Sequence, residues 1–303
     1  MPEKRLDPVY ILGPGALGLS FAHQFSAQRP VTLITKAHHP SQFTYTHQGA
    51  SSALQIHNVM QSHNIAAASI TELWLFAKAH QIKAALLELT EKLHPNAHIV
   101  VSHNGMSDTA ELEALLTAKQ SLYFMLTQQA AFKPLEAEVV HVSQGASIIG
   151  AVNTAAMNTL NQQFVRWQSL LPNLQKSEDI NRARWHKLLI NLAINPIAAY
   201  YSERNGGVRS PRYASDVFAL LQEALHVADA QGVSMSLTDA LNTAYQVMAN
   251  TAENHCSMLQ DKRNGKETEI DAMCGYILRK AQQYGLAAPI NQRYYQRIKG
   301  GKL

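Results

Sequence analysis

The chain has 303 residues, 46% of them apolar and 16% charged, with a net charge of +4. That balance excludes a disordered segment, the length favours two domains over one core, and no apolar run approaches the ~18 residues that span a bilayer. With no signal-peptide pattern after Met1, a cytoplasmic location without membrane attachment is expected. Cys256 and Cys274 do not form a CxxC pair and are expected to be reduced core residues, and the fourteen histidines lack zinc-site spacing, so no metal is expected. The mild positive excess suits small anionic ligands. No Lys/Arg run or basic stripe supports a nucleic-acid partner.

Val9 to Leu12 is a short apolar run ending in Gly13-Pro14-Gly15-Ala16-Leu17-Gly18, a helical stretch follows to about Ser26, and Val31 to Thr35 is a second β-rich run. Strand, glycine turn, helix, strand is the opening of a dinucleotide-binding βαβ unit, with the pyrophosphate on the free N–H groups of the helix N-terminus. The candidate cofactor-binding residues are therefore Gly13, Pro14, Gly15, Ala16, Leu17 and Gly18. An NAD site usually carries an acidic residue about 20 residues beyond the motif. Between Asp7 and Glu72 this chain has none, and the second strand runs out into Lys36, followed by His38 and His39. A cation there suits a 2′-phosphate, so NADPH is the expected cofactor and Lys36 its phosphate contact.

A strand-like run from Glu72 to Ala77 ends at Lys78, a helical pattern covers about Ile82 to Leu93, and a strand from His98 to Ser102 ends at His103-Asn104-Gly105. In open parallel sheets ligands sit at the carboxyl ends of the strands, where the glycine turn, Lys36, Lys78 and Asn104 all fall. Leu122 to Phe132 and Val139 to Ile149 read as further strands in a more antiparallel style. From about Ser177 the pattern is helical almost to the end. The expected fold class is thus an α/β Rossmann-type dinucleotide-binding domain, residues 1–172, followed by an all-α substrate domain, residues 173–303.

The stretch Trp185 to Pro196 is apolar except for His186 and a stripe formed by Lys187, Asn191 and Asn195 at i, i+4, i+8. A helix this apolar is expected to be buried on most sides, and to kink or end where Asn195 precedes proline. A buried lysine can have its pKa lowered into the range of proton transfer. Thr268 with Asp271 fits a capping box that places Glu269 in a first helical turn; spacing does not choose between cap and catalysis.

In order along the chain, the glycine motif, the strand-end lysine, Asn104-Gly105, the Lys187-x3-Asn191-x3-Asn195-Pro196 helix, Asn205-Gly206, Ser257-Met258-x-Gln260-Asp261 and Thr268-Glu269-Ile270-Asp271 resemble the ketopantoate reductase family. The resemblance spans about residues 9 to 290. It implies NADPH-dependent reduction of 2-dehydropantoate (ketopantoate) to (R)-pantoate in pantothenate and coenzyme A biosynthesis. It further implies Lys187 as general acid, Glu269 orienting that lysine and substrate and meeting the cofactor, and Asn104 near nicotinamide and substrate. Asn191, Asn195, Asn205 and Ser257 would line the substrate site, and Lys36 and Lys78 would hold NADPH. Lys36 stands where many members carry arginine, and His103 where glutamine is common. A monomer or homodimer is expected. The competing readings are a reductase of another 2-ketoacid, a β-hydroxyacid dehydrogenase on the same plan, a non-catalytic NADPH-binding regulator and a nucleic-acid-binding protein.

Overall fold

The computed structural model describes residues 7–36, 40 and 42–300. The chain divides into one unit of Met1–His103 with Asp108–Ile180 and another of Asn104–Ser107 with Asn181–Leu303. The division falls at Ile180 rather than at residue 172, because the strand Leu174–Lys176 still pairs within the first unit's sheet.

The first unit opens as β1 (Val9–Leu12), α1 (Ala16–Ser26) and β2 (Val31–Thr35). It continues through β3 (Phe43–His47), β4 (Ala50–Leu54), β5 (Asn58–Gln61), β6 (Ile70–Phe76), α2 (Ala79–Leu89), β7 (Leu93–Ser102) and α3 (Thr109–Glu113). It closes with β8 (Ser121–Thr127), β9 (Ala130–Phe132), β10 (Glu138–Ser143), β11 (Ser147–Ala151), α4 (Thr154–Gln168) and β12 (Leu174–Lys176). The main sheet has the order β12-β11-β8-β7-β6-β1-β2-β5. All its neighbours are parallel except β8 and β11. A second sheet, β4-β3-β10-β9, carries the antiparallel pairs β3–β4 and β9–β10.

Strands β2 and β8 are buried along their whole length, as expected of strands covered on both faces. Trp74, Tyr123 and Trp167 meet edge-on in the core, Trp167 lying 5.4 Å from Trp74 and 4.9 Å from Tyr123 between ring centroids. Their polar partner is the buried carboxylate of Glu72. It accepts from Arg29 Nη1 at 2.7 Å, Trp74 Nε1 at 2.9 Å and Trp167 Nε1 at 3.0 Å. A buried charge persists when it is paired and its lone pairs are used, and Glu72 meets both conditions.

The second unit is helical: α5 (Ile180–Tyr201), α6 (Ala214–Ala230), α7 (Leu237–Asn250), α8 (Ser257–Arg263), α9 (Cys274–Tyr284) and α10 (Pro289–Gly300), with 3-10 turns at Asn205–Arg209, Pro211–Tyr213 and Ile270–Ala272. Helix α5 neither ends nor breaks at Pro196 but runs five residues further to Tyr201. Residues 192–199 are all buried, so packing holds the turn that the proline ring disfavours. The N-terminus of α10 is capped from α6: Glu223 accepts from the backbone N–H of Ile290 at 2.8 Å and of Asn291 at 2.9 Å. Cys256 and Cys274 are free and buried, and burial raises both thiols above their ordinary pKa. Among the described residues no helix is long and apolar enough to cross a membrane.

Candidate active site

The turn between β1 and α1 is built for glycine. Gly13 has φ +104°, and a Cβ on it would stand 2.0 Å from the carbonyl oxygen of Phe76, the last residue of β6. A Cβ on Gly18 would stand 2.0 Å from the carbonyl oxygen of Gly13. Both distances are far inside contact, so the loop, strand and helix can approach this closely only without side chains. Gly15 differs: nothing lies within 4 Å of where its Cβ would be. It is the N-cap of α1 and makes no side-chain cap bond, and the first turn of the helix has no acidic residue. Open space over uncapped N–H groups fits an anion such as the pyrophosphate of a dinucleotide.

Pro14, Ala16 and Leu17 complete this loop and the first turn. Lys36 directly follows β2 and is exposed; Lys78 is partly buried as the N-cap of α2, two residues past β6. Because β1, β2 and β6 are parallel neighbours, the glycine loop, Lys36 and Lys78 all sit at one edge of the sheet. His38 and His39 lie outside the described residues.

In the second unit the remaining candidates are drawn together around α5. Lys187 and Asn191 are partly buried and Asn195 is buried. Asn195 Nδ2 donates to Met273 Sδ at 3.8 Å, and the Cys256 thiol donates to the Asn195 carbonyl at 3.8 Å. Cys256 is the N-cap of α8, so the exposed Ser257 is that helix's first residue, and Met273 closes the turn that Glu269 opens. The Asn104 segment joins the same place from the other side. Met106 N donates to the Ala272 carbonyl at 2.7 Å, Arg184 Nη2 donates to the Ser107 carbonyl at 2.9 Å, and a Cβ on Gly105 would stand 2.5 Å from the Ala272 oxygen. Arg184 is one helical turn before Lys187, and Ala272 three residues after Glu269. Two short bridges thus bring Asn104, Lys187 and Glu269 into one neighbourhood.

The capping box expected at Thr268 and Asp271 is not formed. Glu269 precedes the 3-10 turn without a side-chain cap bond, and Asp271 instead accepts from Tyr295 Oη at 2.6 Å and pairs with Lys299 at 2.6 Å. The charge of Glu269, at the N-cap of that turn, acts on Lys187. Burial brings the Lys187 ammonium down from 10.5 to about 8, while the Glu269 carboxylate pulls in the opposite direction. An amine titrating near 8 is still mostly protonated at pH 7 and releases its proton readily.

Asn205 is buried at the start of its 3-10 turn; Nδ2 donates to Thr251 Oγ1 at 2.9 Å, and Oδ1 has no hydrogen-bond partner among the described residues. Its backbone N–H donates to the Asn254 carbonyl at 2.9 Å, which binds the 205–209 turn to the stretch just before Ser257. A depression flanks these two loops, lined among others by Arg204, Arg209, Glu253 and His255. Lys187 and Glu269 do not line it. One polar contact at the glycine loop was not legible from spacing: Lys133 Nζ, from the segment after β9, donates to the Pro14 carbonyl at 3.0 Å.

Family models match almost the whole chain: "Ketopantoate reductase PanE/ApbA" over residues 9–154 and "Ketopantoate reductase PanE/ApbA C terminal" over residues 179–302. The chain is similar to a 2-dehydropantoate 2-reductase of Vibrio cholerae serotype O1, 31% identical over 96% of each chain. Among solved structures it is similar to a probable 2-dehydropantoate 2-reductase from Bacillus subtilis, with a TM-score of 0.83 and 24% identity over 97% of this chain and 99% of that one. It is also similar to a D-mandelate dehydrogenase solved with NADH and anilino(oxo)acetate, with a TM-score of 0.88 and 17% identity over 97% of each chain. At these identities the two structures speak for the fold alone.

Proposed function

The chain belongs to the ketopantoate reductase family, and we propose that it reduces 2-dehydropantoate to (R)-pantoate with NADPH, the step that leads toward pantothenate and coenzyme A. The enzyme class, an oxidoreductase of the 2-dehydropantoate 2-reductase type that uses a nicotinamide dinucleotide, follows from the family. The choice of NADPH, the named substrate and the residue roles go beyond the family and are the substance of the proposal. The observation that carries it is Lys187, a partly buried ammonium on α5 brought to about 8 with the Glu269 carboxylate beside it.

When bound, the cofactor supplies the hydride. Gly13 to Gly18 cradle its pyrophosphate on the N-terminus of α1, and Lys36 pairs with the 2′-phosphate that distinguishes NADPH from NADH. Lys78 adds a second cation at the same sheet edge. In the second unit, Lys187 Nζ donates a proton to the substrate's ketone oxygen as negative charge gathers there. The charge on the lysine also stabilises that oxygen before the proton moves. Glu269 holds the lysine in its charged form and orients the resulting hydroxyl. Asn104, Asn191, Asn195, Asn205 and Ser257 supply amide and hydroxyl donors to the polar substrate; the unused Oδ1 of Asn205 is an acceptor suited to a hydroxyl.

The test is NADPH consumption, followed by its absorbance, with 2-dehydropantoate and a panel of other branched and aromatic 2-ketoacids, each repeated with NADH. Preferred turnover of 2-dehydropantoate with NADPH supports the reading. Faster turnover of another ketoacid, or a preference for NADH, contradicts the substrate or the cofactor assignment respectively. NADPH binding without turnover of any ketoacid favours a regulator.

A further inference from the structure

Strand β9 lies along α1 and is fastened to it at both ends. Just before the strand, the Gln24 side-chain amide, near the end of α1, donates to Gln129 Oε1 at 3.0 Å. Just after it, Lys133 Nζ donates to the carbonyl of Pro14, directly before the cap of α1, at 3.0 Å. The two fastenings agree in length. The four residue steps from Gln129 to Lys133, through the three-residue strand, cover about 13 Å at ~3.3 Å each, and the ten steps from Gln24 back to Pro14 cover about 15 Å at ~1.5 Å each. The N–H of Gln129 is itself held by Thr127 Oγ1 at 3.0 Å, at the end of β8. The lysine is therefore delivered to the glycine loop from a part of the main sheet that does not adjoin β1.

The bonded atom matters. The Pro14 carbonyl and the Gly15 N–H belong to one peptide unit, and the structure contains no cis peptide bond among its described residues. In a planar trans peptide the C=O and the N–H point in opposite directions. An ammonium fixed on the Pro14 oxygen therefore fixes where the Gly15 N–H points, and its charge polarises that peptide so the N–H becomes a stronger donor. Gly15 is the position with open space beside it. That peptide turns about ψ of Pro14 and φ of Gly15, which has no Cβ to restrict it, and a polar anchor on its oxygen removes the freedom before the ligand arrives.

We propose that Lys133 is a positioning residue for the dinucleotide: it orients and polarises the Pro14–Gly15 peptide so that the Gly15 N–H meets the pyrophosphate. This rests on the dinucleotide-binding reading of the glycine loop. The pyrophosphate is common to NADPH and NADH, so the effect of Lys133 is the same for both. Lys36, at the 2′-phosphate, affects NADPH alone. Dissociation constants for both dinucleotides are read from the change in nicotinamide fluorescence on the full chain, without turnover, for wild type and the K133M, K133R, K133Q and K36M variants. The expected result is a rise of about five- to tenfold with K133M, by the same factor for NADPH and NADH. K133R restores both to within about twofold, and K133Q, which keeps a donor without the charge, falls between. Should K133M fail to fold, the K133R and K133Q pair still separates charge from mere packing. An unchanged constant in K133M, a loss confined to NADPH, or an arginine that rescues no better than glutamine overturns the proposal while leaving dinucleotide binding intact. A wild-type protein that binds neither dinucleotide overturns the dinucleotide reading, and this proposal with it.

Discussion

The glycine loop and the lysine helix solve opposite problems. The loop works with main-chain atoms, and its constraints are steric: Gly13 and Gly18 each leave no room for a methyl group. Its glycines are neighbours in sequence, and the Phe76 carbonyl and the Lys133 ammonium reach it from elsewhere in the unit. The lysine site works with side chains whose properties come from distant segments. Lys187 is brought to about 8 by burial in α5 and held there by a carboxylate from residue 269. The segment after Asn104 is tied in, Met106 N–H donating to the Ala272 carbonyl and Arg184 to the Ser107 carbonyl. A main-chain site is thus written locally, whereas a tuned side chain depends on the whole unit around it.

The comparison can be broken most forcefully at the lysine. Lys187→Ala removes the proposed proton donor, and kcat should fall about 10³-fold in steady-state NADPH oxidation, with the NADPH dissociation constant nearly unchanged. A loss of less than tenfold would move the acid elsewhere. At the loop, Gly13→Ala forces a Cβ onto the Phe76 carbonyl in a backbone region hostile to L-residues, and should cost about 4 kcal/mol or more in denaturant unfolding. Glu72→Gln leaves Arg29 buried without its counter-charge and should cost about 3 kcal/mol by the same measurement. The smallest effect is expected at the exposed Lys36. Lys36→Met should raise the NADPH dissociation constant about tenfold, worth ~1.4 kcal/mol, and leave that for NADH unmoved.

How much of this could be read beforehand follows the same division. The first strand, glycine turn, helix and second strand fall where the apolar runs and glycines placed them, because each is specified by its own residues. Helix α4 carries a weak sequence signal: its buried stripe is Ala156, Leu160, Gln163 and Trp167, of which one is polar and one is only a methyl group. Strands β3 to β5 are only four or five residues long; β4 is exposed except at Leu54 and β5 has no fully buried residue, so neither of those two carries a clean alternation. Pro196 misled because local preference spoke for a break, whereas the buried turns on either side keep α5 continuous to Tyr201. The capping box failed for a similar reason: Asp271 has better partners in Tyr295 and Lys299 on α10, 24 and 28 residues away. Lys187, Asn191 and Asn195 were legible as a stripe on one helix. Spacing alone could not show that Glu269 acts on that lysine, nor that Lys133 reaches the glycine loop.

The most direct test of the account is the pH dependence of kcat/KM for NADPH-driven reduction of 2-dehydropantoate, compared in the wild type and Glu269→Gln. With Lys187 as the proposed acid, reduction needs that lysine protonated, so the rate should be level below pH 7 and fall about tenfold per unit above a pKa near 8. Because Glu269 raises the lysine's pKa, its removal should shift that falling limb to lower pH. A wild-type profile flat to pH 10, or a limb that stays in place when Glu269 is neutralised, would contradict the assignment of the proton to Lys187 under the control of Glu269.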